Sequence, residues 1–269
     1  MKTLPKHTLL YDDECPLCTL YSGAFVATGM LDPEGRKPFC QLAESETDGI
    51  DLARAVNEIA LVDRGNGTVL YGVDSILRIL GNSLPLIERV GHLRPIHFIL
   101  QKAYSFVSFN RKVIVPGAKP KAGTLECVPS FHVGYRLAYM VLAAGVAALL
   151  LARFSELLPM GRHGWGIGLL LVAAQVPFQW MWLRGDWRTR LNYTGNLLTV
   201  SLMGSLMLLP FQLVALFLGV PPLVAVAAFA SVATILFFEH RRRVRLLGQP
   251  WWVSATWVVY RLLMGLVLI

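Results

Sequence analysis

The chain has 269 residues, of which 55% are hydrophobic and 16% charged, with a mean hydropathy of +0.53 and a formal net charge of +8. Residues 1–131 hold 14 Lys and Arg against 14 Asp and Glu, so the excess lies in the remainder, with 25 − 14 = 11 basic residues, all Arg, against 17 − 14 = 3 acids. Arginines set among apolar runs exclude nucleic-acid binding as the meaning of the charge, and four cysteines are too few for a disulfide scaffold.

Residues 1–6 lead directly into an apolar strand at 8–11, which is too short for the apolar core of a signal peptide. Asp12-Asp13-Glu14 make an acidic turn, and Cys15-Pro16-Leu17-Cys18 opens a helix expected over 17–30. A second strand is expected at 37–42 and a short helix at 51–56. Two apolar runs, 58–62 and 68–71, flank Asp63-Arg64-Gly65-Asn66-Gly67, which is a hairpin signal. A helix follows at 74–80, so the order is β-α-β-α-β-β-α, the thioredoxin order. Residues 84–110 continue the helical pattern, with Tyr104, Phe106 and Phe109 as an aromatic cluster, and 115–123 is rich in proline and glycine like a linker.

Long apolar runs then occupy 133–151, 165–183, 197–219, 223–238 and 251–268. A bilayer core of ~30 Å takes ~20 residues of helix, so about five spans are expected, the fourth of them short. The expected organisation is an α/β thioredoxin-like domain over 1–115, a linker over 116–132 and an all-α transmembrane bundle over 133–269. Basic residues fall in alternate gaps: Arg111, Lys112, Lys119 and Lys121 before the first run, Arg184, Arg188 and Arg190 after the second, Arg241, Arg242, Arg243 and Arg245 after the fourth. That bias predicts a cytoplasmic amino-terminal domain and a carboxyl terminus on the opposite side. Trp165, Trp182, Trp251 and Trp252 stand near run ends, as interfacial anchors do. Gln175, Gln179 and Arg261 fall in or near apolar runs, where polar groups are costly and often functional. Arg261 either snorkels or pairs with a carbonyl, or it neutralises a quinone oxygen or a lipid phosphate.

The C-x-x-C pair carries the chemistry. Two cysteines one helical turn apart at the exit of a first strand are the arrangement used for dithiol–disulfide exchange. Cys15 at the helix start is the expected nucleophile, because unpaired N–H groups and the helix dipole favour its thiolate. Cys18 is the expected resolver. The neighbouring acids oppose this, since like charge disfavours a thiolate. Asp12, if shielded from solvent, is the candidate proton acceptor for Cys18. Two other readings stand beside the redox one: packing cysteines, and half of a zinc site, for which Cys40, His7 or Cys127 would have to converge, since no second C-x-x-C is present. His92 and His97 read as surface or core residues. No cofactor or metal motif accompanies the pair, and no residue pattern supports a membrane quinone as electron partner. The partners expected are a thiol or disulfide substrate and the lipid bilayer.

The segment LLYDDECPLC, with Asp12-x-x-Cys15-x-x-Cys18, resembles the DCC family of predicted thiol–disulfide oxidoreductases. Ala60-Leu61-Val62-Asp63, the run VLYGVD at 69–74, and the stretch from Tyr104 to Asn110-Arg111 are similar to later motifs of that family, in the same order. The resemblance covers roughly residues 7–115. It implies a thioredoxin-like fold and marks Asp12, Cys15 and Cys18 as the site. Two departures stand out: Asp13 replaces the family's usual glycine, and no proline precedes Ile59 where thioredoxins place one against the cysteines. The segment Cys127, Pro129, Phe131, Tyr135, Arg136 is similar to one in membrane-extended members.

Overall fold

Strand β1 (His7–Tyr11) is the hub of the amino-terminal half, because its side chains are buried on both faces. Leu9 points into one apolar cluster with Leu4, Met30, Leu31, Ile59, Leu61 and Ile79, and Leu10 into another with Phe39, Cys40, Ala55 and Ala60. A strand covered on both sides needs apolar residues in succession, which is what TLLY supplies. The computed structural model describes residues 1–117, 129–159 and 164–268. The chain forms two compact units, Met1–Tyr135 and Arg136–Ile269.

In the first unit, α1 (Pro16–Ala27) follows β1, then β2 (Arg36–Pro38), α2 (Leu52–Ala55), β3 (Ala60–Asp63), β4 (Val69–Tyr71), α3 (Val73–Ser83), α4 (Pro85–Gly91) and α5 (Arg94–Ile114). The four strands form one mixed sheet in the order β2-β1-β3-β4. β1 runs parallel to β2, pairing Leu9 with Arg36, and antiparallel to β3, pairing Leu9 with Leu61. β3 and β4 close as the expected hairpin, with Leu61 opposite Leu70. Tyr21, Phe25 and Val26 of α1, Ile76 and Leu80 of α3, and Tyr104 of α5 pack onto the Leu9 face. The second strand is shorter than the 37–42 expected. Pro38 ends it, having no N–H to continue the ladder, and Phe39–Gln41 curl into a single 3-10 turn that buries Phe39 and Cys40.

The second unit contains α6 (Val133–Ser155, begun in the first unit), α7 (Trp165–Trp180), α8 (Trp187–Leu218), α9 (Pro222–Leu246) and α10 (Trp252–Leu268). Three of these, α6, α8 and α9, are long and apolar enough to cross a membrane. The other two have 16 and 17 residues, about 24–26 Å at the helical rise, against a core of ~30 Å. Arg184 lies in the connection between α7 and α8 as expected, but most of the other arginines expected in gaps lie on helix. Arg188 and Arg190 are in the first turns of α8, and Arg241–Arg245 in the last turns of α9, so both helices run beyond their apolar stretches. Side-chain bonds fix the helix directions. Tyr139 bonds Thr199, and Gln212 donates to the Leu150 carbonyl, so α6 and α8 run parallel. Tyr193 meets His240, Gly204 lies against Leu236, and Leu208 packs with Ala225, Ala228 and Val232, so α8 and α9 are antiparallel. Thr256 reaches Gln179, and Tyr260 the Leu171 carbonyl, so α7 and α10 are antiparallel.

Candidate functional site

The chain turns sharply after β1. The Cys15 N–H donates to the Asp12 carbonyl at 3.3 Å, and the Glu14 N–H to Asp12 Oδ1 at 3.0 Å. This turn sets Cys15 in extended backbone immediately before α1, with Pro16 at the first helical position, where its missing N–H is not needed. The Cys15 carbonyl accepts from Thr19 N–H at 3.0 Å and so starts the helix, leaving the Cys15 sulfur at the positive end of the dipole. Cys15 and Cys18 are both free thiols, and they are hydrogen-bonded to each other through sulfur.

The acids that opposed a thiolate on paper are met by the carboxyl-terminal end of α5. Arg111 donates from Nε and Nη2 to Asp12 Oδ2 at 3.1 and 3.0 Å, and both residues are buried. Lys112 pairs with Glu14 at 2.7 Å, and Asp13 accepts from Gln41 at 3.0 Å. Arg111 is itself anchored by the carbonyls of Val56 and Asn57 and by the Ser108 hydroxyl. Tyr104, Ser108 and Arg111 thus form one stripe of α5 that docks on the segment leading into β3, with Tyr104 accepting from Ile59 N–H at 2.9 Å. The Cys15 thiol is drawn down to about 7, first by the hydrogen bond from Cys18, and further by a backbone N–H and Arg111, against burial and Asp12. Cys18 moves the other way, pushed up by that same bond and by burial. Such a split separates a sulfur that attacks from one that holds its proton.

Asp12 lies where the sequence reading put it, beside the pair, but its oxygens are engaged by Arg111 and by the Glu14 N–H. The arrangement makes Asp12 the clamp for Arg111. Cys15 is 0% exposed and Cys18 6%. A cavity of about 60 Å³ reaches Cys18, bounded by Asp12, Leu17, Tyr21, Glu58, Ile59, Tyr104 and Arg111 among others. Burial pushes the Tyr21 and Tyr104 hydroxyls up, so both stay protonated donors on that wall. The far side of the turn is covered by Gly117. A β-carbon there would run into the Glu14 carbonyl and touch the Pro16 ring, so only glycine fits.

The sequence reading missed the part played by Arg111, Lys112 and Ser108, which lie about 100 residues from the pair. The one signal was the Asn110-Arg111 motif, which by itself assigns no role. Cys40 is disulfide-bonded, so it is not isolated and is not a spare metal ligand. Its proximity to Asp12 and Asp13 makes no cation site, since Asp12 is already paired. Cys127, Lys119 and Lys121 lie outside the described residues. His92 and His97 stack at 5.5 Å, and both face Asp74, with His97 bonded to it at 2.8 Å, which ties α3 to the start of α5. Comparison of the chain with protein-family models, with curated proteins and with solved structures finds no match.

Proposed function

We propose that the protein is a membrane-anchored thiol–disulfide oxidoreductase whose amino-terminal unit is thioredoxin-like, of the DCC type. The observation that carries the reading is a reduced Cys15–Cys18 pair, hydrogen-bonded at the amino terminus of α1 beside a buried guanidinium. In the proposed reaction the Cys15 thiolate attacks one sulfur of a substrate disulfide. The substrate S–S bond breaks and releases a thiolate. Cys18 then loses its proton and attacks the Cys15 sulfur, releasing the second substrate thiol. The substrate gains two electrons, the pair becomes a disulfide, and a cellular thiol restores it. Asp12 acts by holding Arg111 against the site. The sheet order β2-β1-β3-β4, with the cysteines after the central β1, supports the thioredoxin-like part.

Five membrane crossings are proposed, with the amino-terminal unit on the cytoplasmic side. The parallel course of α6 and α8 supports this, because the chain must return between them and α7 is the helix that does so.

A second reading is supported by burial. A nucleophile with no exposed surface suits a non-catalytic module as well as an enzyme with a displaceable cover. One experiment separates them. The full-length Cys18→Ser variant in detergent is expected to trap a mixed disulfide on Cys15 when given glutathione disulfide, and Cys15→Ser is expected to trap none. No adduct on either variant, with no turnover by the wild type, would leave the module reading.

A further inference from the structure

The second unit contains a buried polar network that the exchange chemistry does not use. Gln179 accepts from Tyr193 at 3.1 Å and from Thr256 at 3.4 Å, and Tyr193 bonds His240 at 2.9 Å. His240 stacks on Trp257 with centroids 5.2 Å apart, and the Arg261 guanidinium lies 5.4 Å from the centre of that same indole. Gln175 is one turn along α7 from Gln179, on the face that also presents Leu171 to Tyr260. Gln175, Gln179, Tyr193, His240 and Trp257 are each no more than 5% exposed.

The network lacks acceptors. The side-chain amide nitrogens of Gln175 and Gln179, the Trp257 indole N–H and the Arg261 Nε are all sealed from solvent and have no hydrogen-bond partner among the described residues. Arg261 bonds the Ser201 hydroxyl at 3.2 Å through Nη2, and among the described residues no carboxylate pairs with it. The acids at this end of the bundle are occupied, Glu239 by Arg242 and Arg243, and Asp186 by the first turn of α8. Buried donors and an uncompensated charge are both costly. A group offering several oxygens and negative charge suits donors of this kind and balances the Arg261 charge, whereas a neutral carbonyl would leave the charge unbalanced.

The position narrows the ligand further. Gln249 of the α9–α10 connection bonds both the N–H and the carbonyl of Arg184, so the connections on either side of α7 and α10 meet at one end of the bundle. Arg184, Arg188, Arg190, Arg241, Arg242 and Arg245 gather near that end. Beyond the network, α10 leaves Val259, Leu262 and Leu263 exposed as apolar surface. The geometry points to a site for the oxyanion headgroup of an anionic amphiphile where α7 and α10 meet α8 and α9, with Arg261, Trp257, Gln179 and Gln175 as its donors.

The test uses the full-length chain in neutral detergent. Binding of phosphatidylglycerol, phosphatidylcholine and inorganic phosphate is measured by native mass spectrometry and by thermal unfolding. Phosphatidylglycerol is expected to bind at least tenfold more tightly than phosphatidylcholine. Arg261→Gln is expected to lose about tenfold or more of that affinity, and Trp257→Phe, which keeps the ring and loses the N–H, several-fold. Arg241→Gln, at an exposed arginine of the same end, should change it less than twofold. If inorganic phosphate binds and competes in an Arg261-dependent way, the oxyanion site stands and its ligand comes from solution. Equal binding of the two lipids, or wild-type affinity in both Arg261→Gln and Trp257→Phe, overturns the proposal. Should Arg261→Gln fail to fold, Trp257→Phe alone decides.

Discussion

At the residue scale, the candidate site is a buried ion pair beside a sulfur whose thiolate is favoured by the neighbouring Cys18. Arg111 and Asp12 touch each other and act on Cys15 with opposite signs, Arg111 favouring its thiolate and Asp12 opposing it. Asp12→Asn should therefore move the Cys15 midpoint below about 7, and Arg111→Met should move it up. Alkylation rate against pH in the full-length chain reads both, since the thiolate is the reacting form. Simple loosening of the fold would instead carry both variants up toward the ~8.5 of a free cysteine. The two variants should also differ in stability. Arg111→Met strips a buried carboxylate of its partner and is expected to cost ~3–5 kcal/mol, whereas Asp12→Asn keeps an acceptor oxygen and should cost less. At this scale the sequence was half legible. Cys15, Pro16 and Cys18 announce themselves because three adjacent constraints, turn, helix start and sulfur spacing, fall within four residues. Arg111 has no such local signature, since its importance arises only when α5 returns to the first turn.

At the scale of elements, α5 is the part that assembles the site. It brings Tyr104, Ser108, Arg111 and Lys112 to the β1–α1 turn along one face, and the chain leaving it places Gly117 on the other side of the same turn. The turn that carries Cys15 is thereby packed by two consecutive pieces of chain. Gly117→Ala should force the cover off the Glu14 carbonyl. The expected outcome is faster alkylation of Cys15 at fixed pH, with an unchanged midpoint and a modest loss of stability, about 1–3 kcal/mol for an overpacked contact. An unchanged rate would mean that Gly117 does not gate access to the sulfur. The hairpin at 60–71 was legible because alternating apolar runs and a Gly/Asn turn fix each other's register. The second strand was not. Its 37–42 window is apolar enough for a strand, but Pro38 removes the ladder donor, and Phe39 and Cys40 turn inward to fill the second cluster.

At the scale of the whole molecule, hydropathy identified the helices and misjudged their ends. Arg188, Arg190 and Arg241–Arg245 look like loop residues because charges end an apolar run, yet α8 and α9 continue through them. Arg243 shows why. It is buried and bonded to Asn196 and Glu239, so its charge is satisfied on helix. Length alone would count three crossings, since α7 and α10 are short. Helix direction argues for five. If α7 stayed on one side, α6 and α8 would cross in opposite senses, but their contacts, Tyr139 with Thr199 and Leu150 with Gln212, advance together along both helices. Five crossings also gather the arginines of α8 and α9 on the side from which α6 enters, in keeping with the positive-inside bias. The two schemes differ at the uncharged connection around Val220. With five crossings a reporter fused after residue 220 lies across the membrane from the amino-terminal unit, and one fused after residue 248 lies on the same side. With three, both assignments reverse. Fusions at these two positions, read with one reporter active only in the cytoplasm and another active only outside it, are expected to give the five-crossing pattern. A third fusion, at the amino terminus, is read with the same reporters, because three crossings from the opposite side would give the same two readings. A cytoplasmic reading there puts Cys15 and Cys18 where cellular thiols keep such a pair reduced, and the opposite reading puts them in an oxidising space.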